Sequence, residues 1–115
     1  MFKRHPELFL EDIIESIKLI EKYSKGLDYA KFMRSTDSQD AVVRRLEIIA
    51  EACKNLPKEI KADYPEVPWR KINGIRNRIA HEYFGIDEKI VWQTVKEDLP
   101  EFKKQILKIS KDLSK

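Results

Sequence analysis

Residues 37–56 read DSQDAVVRRLEIIAEACKNL, and their periodicity decides the fold class. Val42, Leu46, Ile49, Cys53 and Leu56 recur at spacings of four and three. Such spacings place side chains on one face of an α-helix, so this stretch predicts a packed seam from about Asp37 or Ser38 to Leu56. Within that seam Cys53 reads as a small core residue rather than a nucleophile. Arg44, Glu47 and Glu51 fall on one side of the same helix. They read as a solvated charged face with an ion pair, or as groups that orient a neighbouring site.

Working outward, the same helical period appears on both flanks. Phe9, Ile13, Ile17 and Ile20, widened by Leu10 and Ile14, predict a first helix from about Pro6 to Lys25. Pro6 suits a first turn and Gly26 suits a stop. Downstream, Pro57 opens a short amphipathic turn, and the prolines of D-Y-P-E-V-P break regular structure. Trp69, Ile72, Ile75 and Ile79 predict a third long helix reaching the His81 region. Gly74 inside it costs about 1 kcal/mol relative to Ala, which a close helix or ligand approach would explain, unless the glycine is simply neutral. Asp87 is a candidate cap for a helix through Trp92 and Val95. D-L-P-E predicts a break or kink next, with Asp98 as cap, Glu101 three residues on and Pro100 in the first turn. Phe102, Ile106, Ile109 and Leu113 carry the last helix.

The expectation is one all-α domain over residues 1–115, an antiparallel bundle of four or five helices with no convincing strand. Composition agrees: 42% of residues are hydrophobic, 37% are charged, and only three are glycine. No apolar run approaches membrane-spanning length, and M-F-K-R-H-P lacks the apolar core of a signal peptide. A lone cysteine fits a reducing cytoplasm. Two histidines and one cysteine cannot build an ordinary histidine/thiolate metal site within one chain, and no tight carboxylate cluster asks for Mg²⁺. No cofactor is expected. The net charge of +3 says little about nucleic acid.

Chemistry concentrates in R-N-R-I-A-H-E-Y, Arg76 to Tyr83. His81 can exchange a proton near neutral pH. Arg76 offers a permanently charged fork that matches phosphate oxygens. Asn77 can orient a neighbour, and Tyr83 adds a hydroxyl and a ring. Together they are the minimal kit for cleaving an RNA phosphodiester without metal: a base, an acid and a cation. Arg76 and His81 are five apart, so a straight helix would place them roughly 140° from each other. Either the helix ends or distorts near His81, or a second chain completes the site. A two-fold dimer would also supply a second proton-transfer group. The Arg-x4-His match is a weak signal, and taken alone it reads first as the end of a solvated helix.

The wider context resembles the HepT-like family of HEPN-domain toxins. The resemblance runs through TDSQDAVVRRLEIIAEA, VPWRKINGIRNRIAHEYFGID and VWQTVKEDLP, covering nearly the whole chain in order. It implies a dimeric all-α HEPN bundle, with the Arg–His motifs of both subunits facing one cleft. It implies a metal-independent ribonuclease toxin, with Arg76 and His81 catalytic and Asn77 supporting. The partner would be a minimal nucleotidyltransferase antitoxin that adenylylates Tyr83. The rival is a non-catalytic module of the same shape that binds a nucleotide or docks a nucleotidyltransferase. A second rival is a purely structural bundle with an inert motif. Trp69 and Trp92 read as core or interface anchors. Lys103, Lys104, Lys108 and Lys111 are either a solvated face or RNA contacts.

Overall fold

The computed structural model describes residues 5–81 and 85–114, with residues 80, 81, 85 and 86 described at the backbone only. Helix α1 spans Pro6–Ser24 and α3 spans Thr36–Asn55, joined by the short α2, Tyr29–Arg34. Helix α1 starts at a proline without a side-chain cap, whereas α2 and α3 are capped. Asp28 accepts from the backbone N–H of Lys31 at 2.8 Å, and Ser35 accepts from that of Ser38 at 3.2 Å. Gly26 takes φ +77° just beyond α1, a conformation that side chains with a Cβ rarely adopt.

The predicted seam is the core. Val42, Leu46, Ile49 and Cys53 of α3 are fully buried, against Leu10, Ile13, Ile17 and Ile20 of α1. Burial pushes the Cys53 thiol up to about 12, partly offset by Lys61, so it holds its proton at neutral pH. Helix α4, Lys58–Asp63, returns Lys61 to the end of α3. Its Nζ donates to the carbonyl oxygens of Cys53 and Lys54 at 3.1 and 3.4 Å, satisfying groups that the helix end leaves open.

The third predicted helix is interrupted. Helix α5 covers Trp69–Asn73, the backbone turns at Gly74, and α6 covers Ile75–Ile79. A Cβ at Gly74 would meet only the carbonyls of Arg70 and Lys71, at 3.4 and 3.6 Å. No neighbouring helix therefore requires the glycine. The chain leaves α6 as the short strand β1, Ala80–His81, which pairs antiparallel with β2, Gly85–Ile86. This two-residue ladder was not expected from the sequence. It is the sole strand pairing among the described residues of an otherwise all-helical fold.

Asp87 caps the next helix as predicted, accepting from Lys89 and Ile90 at 3.1 and 3.2 Å. Asp98 does not act as predicted. Helix α7, Glu88–Gln93, continues without a break through a π-helical turn, Thr94–Asp98, into α8, Leu99–Leu113. Pro100 lacks an N–H and would crowd the carbonyl four residues back in an α-helix. The wider π turn absorbs that conflict. Asp98 is thus helical and makes no cap bond. Its carboxylate instead pairs with Lys71 at 3.0 Å and Arg78 at 3.7 Å, tying the π turn to both sides of the Gly74 break.

Both tryptophans are half-buried anchors, Trp69 donating to the carbonyls of Lys61 and Tyr64 and Trp92 packing on Phe32. Among the described residues no helix is long and apolar enough to cross a membrane. Core and surface should respond differently to truncation. Leu46→Ala is expected to cost about 2–5 kcal/mol in urea unfolding, because it empties a fully buried site. Asp98→Ala should cost less than about 1 kcal/mol, because its partners are solvated.

Candidate functional site

The motif helix α6 is short, and its two isoleucines fix its orientation. Ile75 and Ile79 are four apart and both buried. Arg76, Asn77 and Arg78 are consequently exposed. They then divide. Arg78 turns to Asp98, with 39% of its side chain exposed. Arg76 and Asn77 line a groove of about 600 Å³ on a different face.

Four helices build that groove. Helix α1 contributes Phe9 and Asp12, and α3 contributes Arg44, Glu47, Ile48, Glu51, Lys54 and Asn55. Asn73, the last residue of α5, completes the wall beside Arg76 and Asn77. The charged face of α3 foreseen in the sequence is therefore the groove's floor. Arg44, Glu47, Glu51 and Asn55 follow one another at helical spacing, one step around from the buried seam.

The electrostatics are balanced. Among the described residues that line the groove, Arg44, Lys54 and Arg76 stand against Asp12, Glu47 and Glu51, three cations to three carboxylates. Among the described residues neither Arg76 nor Arg44 closes an ion pair or a side-chain hydrogen bond. The expected ion pair on the α3 face is absent among those residues. Glu51 instead accepts from Asn55 Nδ2, at 3.3 Å. An arginine that is solvated and uncommitted is free to meet an anionic ligand with a two-pronged hydrogen bond.

His81 lies two residues beyond the end of α6, on β1. The helix ends before His81, one of the alternatives that the five-residue spacing from Arg76 left open. His81 is placed by its backbone alone, and Tyr83 lies outside the described residues. Arg76 and Asn77 are thus the predicted site residues that the described structure brings together. Asn55, Asn73 and Asp12 were missed. Nothing in their spacing set these residues apart in the sequence, because they lie on α3, α5 and α1 and meet only through packing. Among the described residues, no three His, Cys, Asp or Glu side chains converge to hold a metal. On the opposite side, Lys103 is engaged by Glu21 at 3.0 Å.

Comparison with known proteins places the chain in a context. The family model described as "Ribonuclease HepT-like" matches residues 13–109. A relative named "Probable ribonuclease HepT", from Thermococcus cleftensis, is 43% identical over 95% of this chain and 99% of its own length. "Putative RNase MJ1216" of Methanocaldococcus jannaschii is 42% identical over 98% of this chain and 93% of its own. "Putative RNase TTE0752" of Caldanaerobacter subterraneus is 39% identical, covering 90% and 93%. No solved structure matches the chain.

If the groove arginine is kept for a ligand, removing it should not disturb the fold. Arg76→Ala is expected to shift unfolding free energy by no more than about 0.5 kcal/mol. Ile79→Ala, three residues away and buried, should cost about 2–5 kcal/mol in the same denaturation experiment.

Proposed function

Since this chain belongs to the HepT-like ribonuclease family, we propose that it is a metal-independent endoribonuclease whose catalytic residues are Arg76 and His81. The observation that carries the reading is the uncommitted Arg76 guanidinium in a polar groove, at the end of a helix from which the chain leads directly to His81. In the proposed reaction His81 takes the proton of a ribose 2′-hydroxyl. The 2′-oxygen attacks the adjacent phosphorus, and the P–O5′ bond breaks. A proton returns to the 5′-oxygen that leaves, and a 2′,3′-cyclic phosphate remains. Arg76 stabilises the extra charge on the phosphorane oxygens. Asn77, beside Arg76 in the groove, supports its orientation.

One histidine cannot easily be both base and acid at one phosphate. A homodimer, with the motifs of both chains facing one cleft, supplies the second proton-transfer group. The polar character of the groove and the names carried by the relatives support RNA as substrate.

The same reading extends to control. The protein acts as the toxin of a cytoplasmic toxin–antitoxin pair, and a minimal nucleotidyltransferase antitoxin silences it by adenylylating Tyr83. Transfer of AMP from ATP forms a bond from the tyrosine oxygen to the α-phosphorus and releases pyrophosphate. The product carries bulk and a negative charge two residues from His81. That charge competes with RNA phosphate for Arg76.

Cleavage of a labelled RNA with EDTA present tests the proposal. Wild type is expected to cut, and folded His81→Ala and Arg76→Ala to lose at least about a hundredfold in rate. Tyr83→Phe should still cut but resist silencing by the nucleotidyltransferase. Phosphate binding lost in Arg76→Ala, with no cutting by unmodified wild type, would instead identify a non-catalytic nucleotide- or nucleotidyltransferase-binding module.

A further inference from the structure

The groove beside Arg76 is poorly suited to tracking a phosphate backbone and well suited to a base. Proteins that follow nucleic-acid backbones line their channels with excess positive charge. Here three cations meet three carboxylates. What remains are hydrogen-bonding groups of the kind that read base edges. Asn73 and Asn77 each present a carboxamide that makes no side-chain hydrogen bond among the described residues. Asn55 spends its amide nitrogen on the Glu51 carbonyl and carboxylate, at 2.9 and 3.3 Å, which leaves its oxygen as an acceptor. An amide offers a donor beside an acceptor, the complement of a base edge, and carboxylates accept from exocyclic amines. The volume, about 600 Å³, lies within the usual range for small-ligand sites.

We infer that this groove seats one unpaired nucleobase next to the scissile phosphate, and that Asn73, assisted by Asn55, determines which base is accepted. The inference rests on the ribonuclease reading and specifies its substrate. In paired RNA the Watson–Crick edges are taken up by the partner strand and the major groove is too deep and narrow for side chains, so a base read by amides at the cut is single-stranded. Its phosphate meets Arg76 at one end of the groove while its base edge turns toward Asn73. Asn73 is a specificity residue here and transfers no proton.

The test uses short RNAs with a single ribose among deoxyribose units, so that one bond can be cut. The base on either side of that bond is varied through all four. Wild type should prefer one base over the poorest by about tenfold in kcat/KM, the size of one good amide–base pairing. Asn73→Ala should flatten that ranking, with the largest loss in kcat/KM on the preferred base and the smallest on the poorest. Asn73→Asp, which can only accept, should reorder it. A complementary strand across the cut should block cleavage. An unchanged ranking in Asn73→Ala, or an equal loss on all four bases, would overturn the inference. Binding of 2′-O-methyl RNAs, read by fluorescence anisotropy, decides the matter without cleavage. Base discrimination that disappears in Asn73→Ala upholds it, and discrimination that persists overturns it. Failure of wild type to cut any RNA would remove the ribonuclease reading alone.

Discussion

Everything in this structure hangs on the seam of α3. Val42, Leu46, Ile49 and Cys53 are fully buried and hold the helix against its neighbours. A helix turns about 100° per residue, so burying one stripe fixes where every other stripe points. With the seam set, Arg44, Glu47, Glu51 and Asn55 have one place to go, the floor of the groove. The same constraint reaches the motif. Ile75 and Ile79 bury against the core and aim Arg76 and Asn77 into that groove. Core packing and site construction are the same physical event seen from two faces of the helices.

The groove's charge is a second consequence. A net charge of +3 over the chain gives little long-range attraction for RNA, and the groove itself is neutral by count. In the proposed function, recognition therefore rests on short-range geometry, with one guanidinium for a phosphate and amides and carboxylates for what lies beside it. Asp98 plays its part away from the groove, where it holds Arg78 and Lys71 on the other side of α6. Two arginines two residues apart in sequence therefore have separate duties.

The long helices were legible because their apolar spacing is long and regular, and α1, α3 and α8 lie close to their predicted spans. The deviations came where backbone geometry changes over a few residues. Gly74 was read as a helix interior, and nothing in a local pattern says that the chain turns there. D-L-P-E carries every mark of a helix start, yet a π turn lets the helix absorb Pro100 and frees Asp98 for ion pairing. Pairing of Ala80 with Ile86 depends on how the chain folds back after α6, which two-residue strands are too short to announce. For the candidate site, Arg76 and Asn77 stood out by residue type and context, and the structure brings them into one groove. Asn55, Asn73 and Asp12 did not, because they come from three other helices and meet only after packing.

In the proposed function, RNA engages the face between α3 and α6. The most direct measurement is an NMR titration of ¹⁵N-labelled protein with uncleavable 2′-O-methyl RNA in the presence of EDTA. Shifts should concentrate at Arg76 and Asn77, at Asn73, and along Glu47, Glu51 and Asn55. Shifts confined instead to the lysine-rich face of α8, around Lys104, Lys108 and Lys111, would place the RNA outside the groove and contradict the proposal.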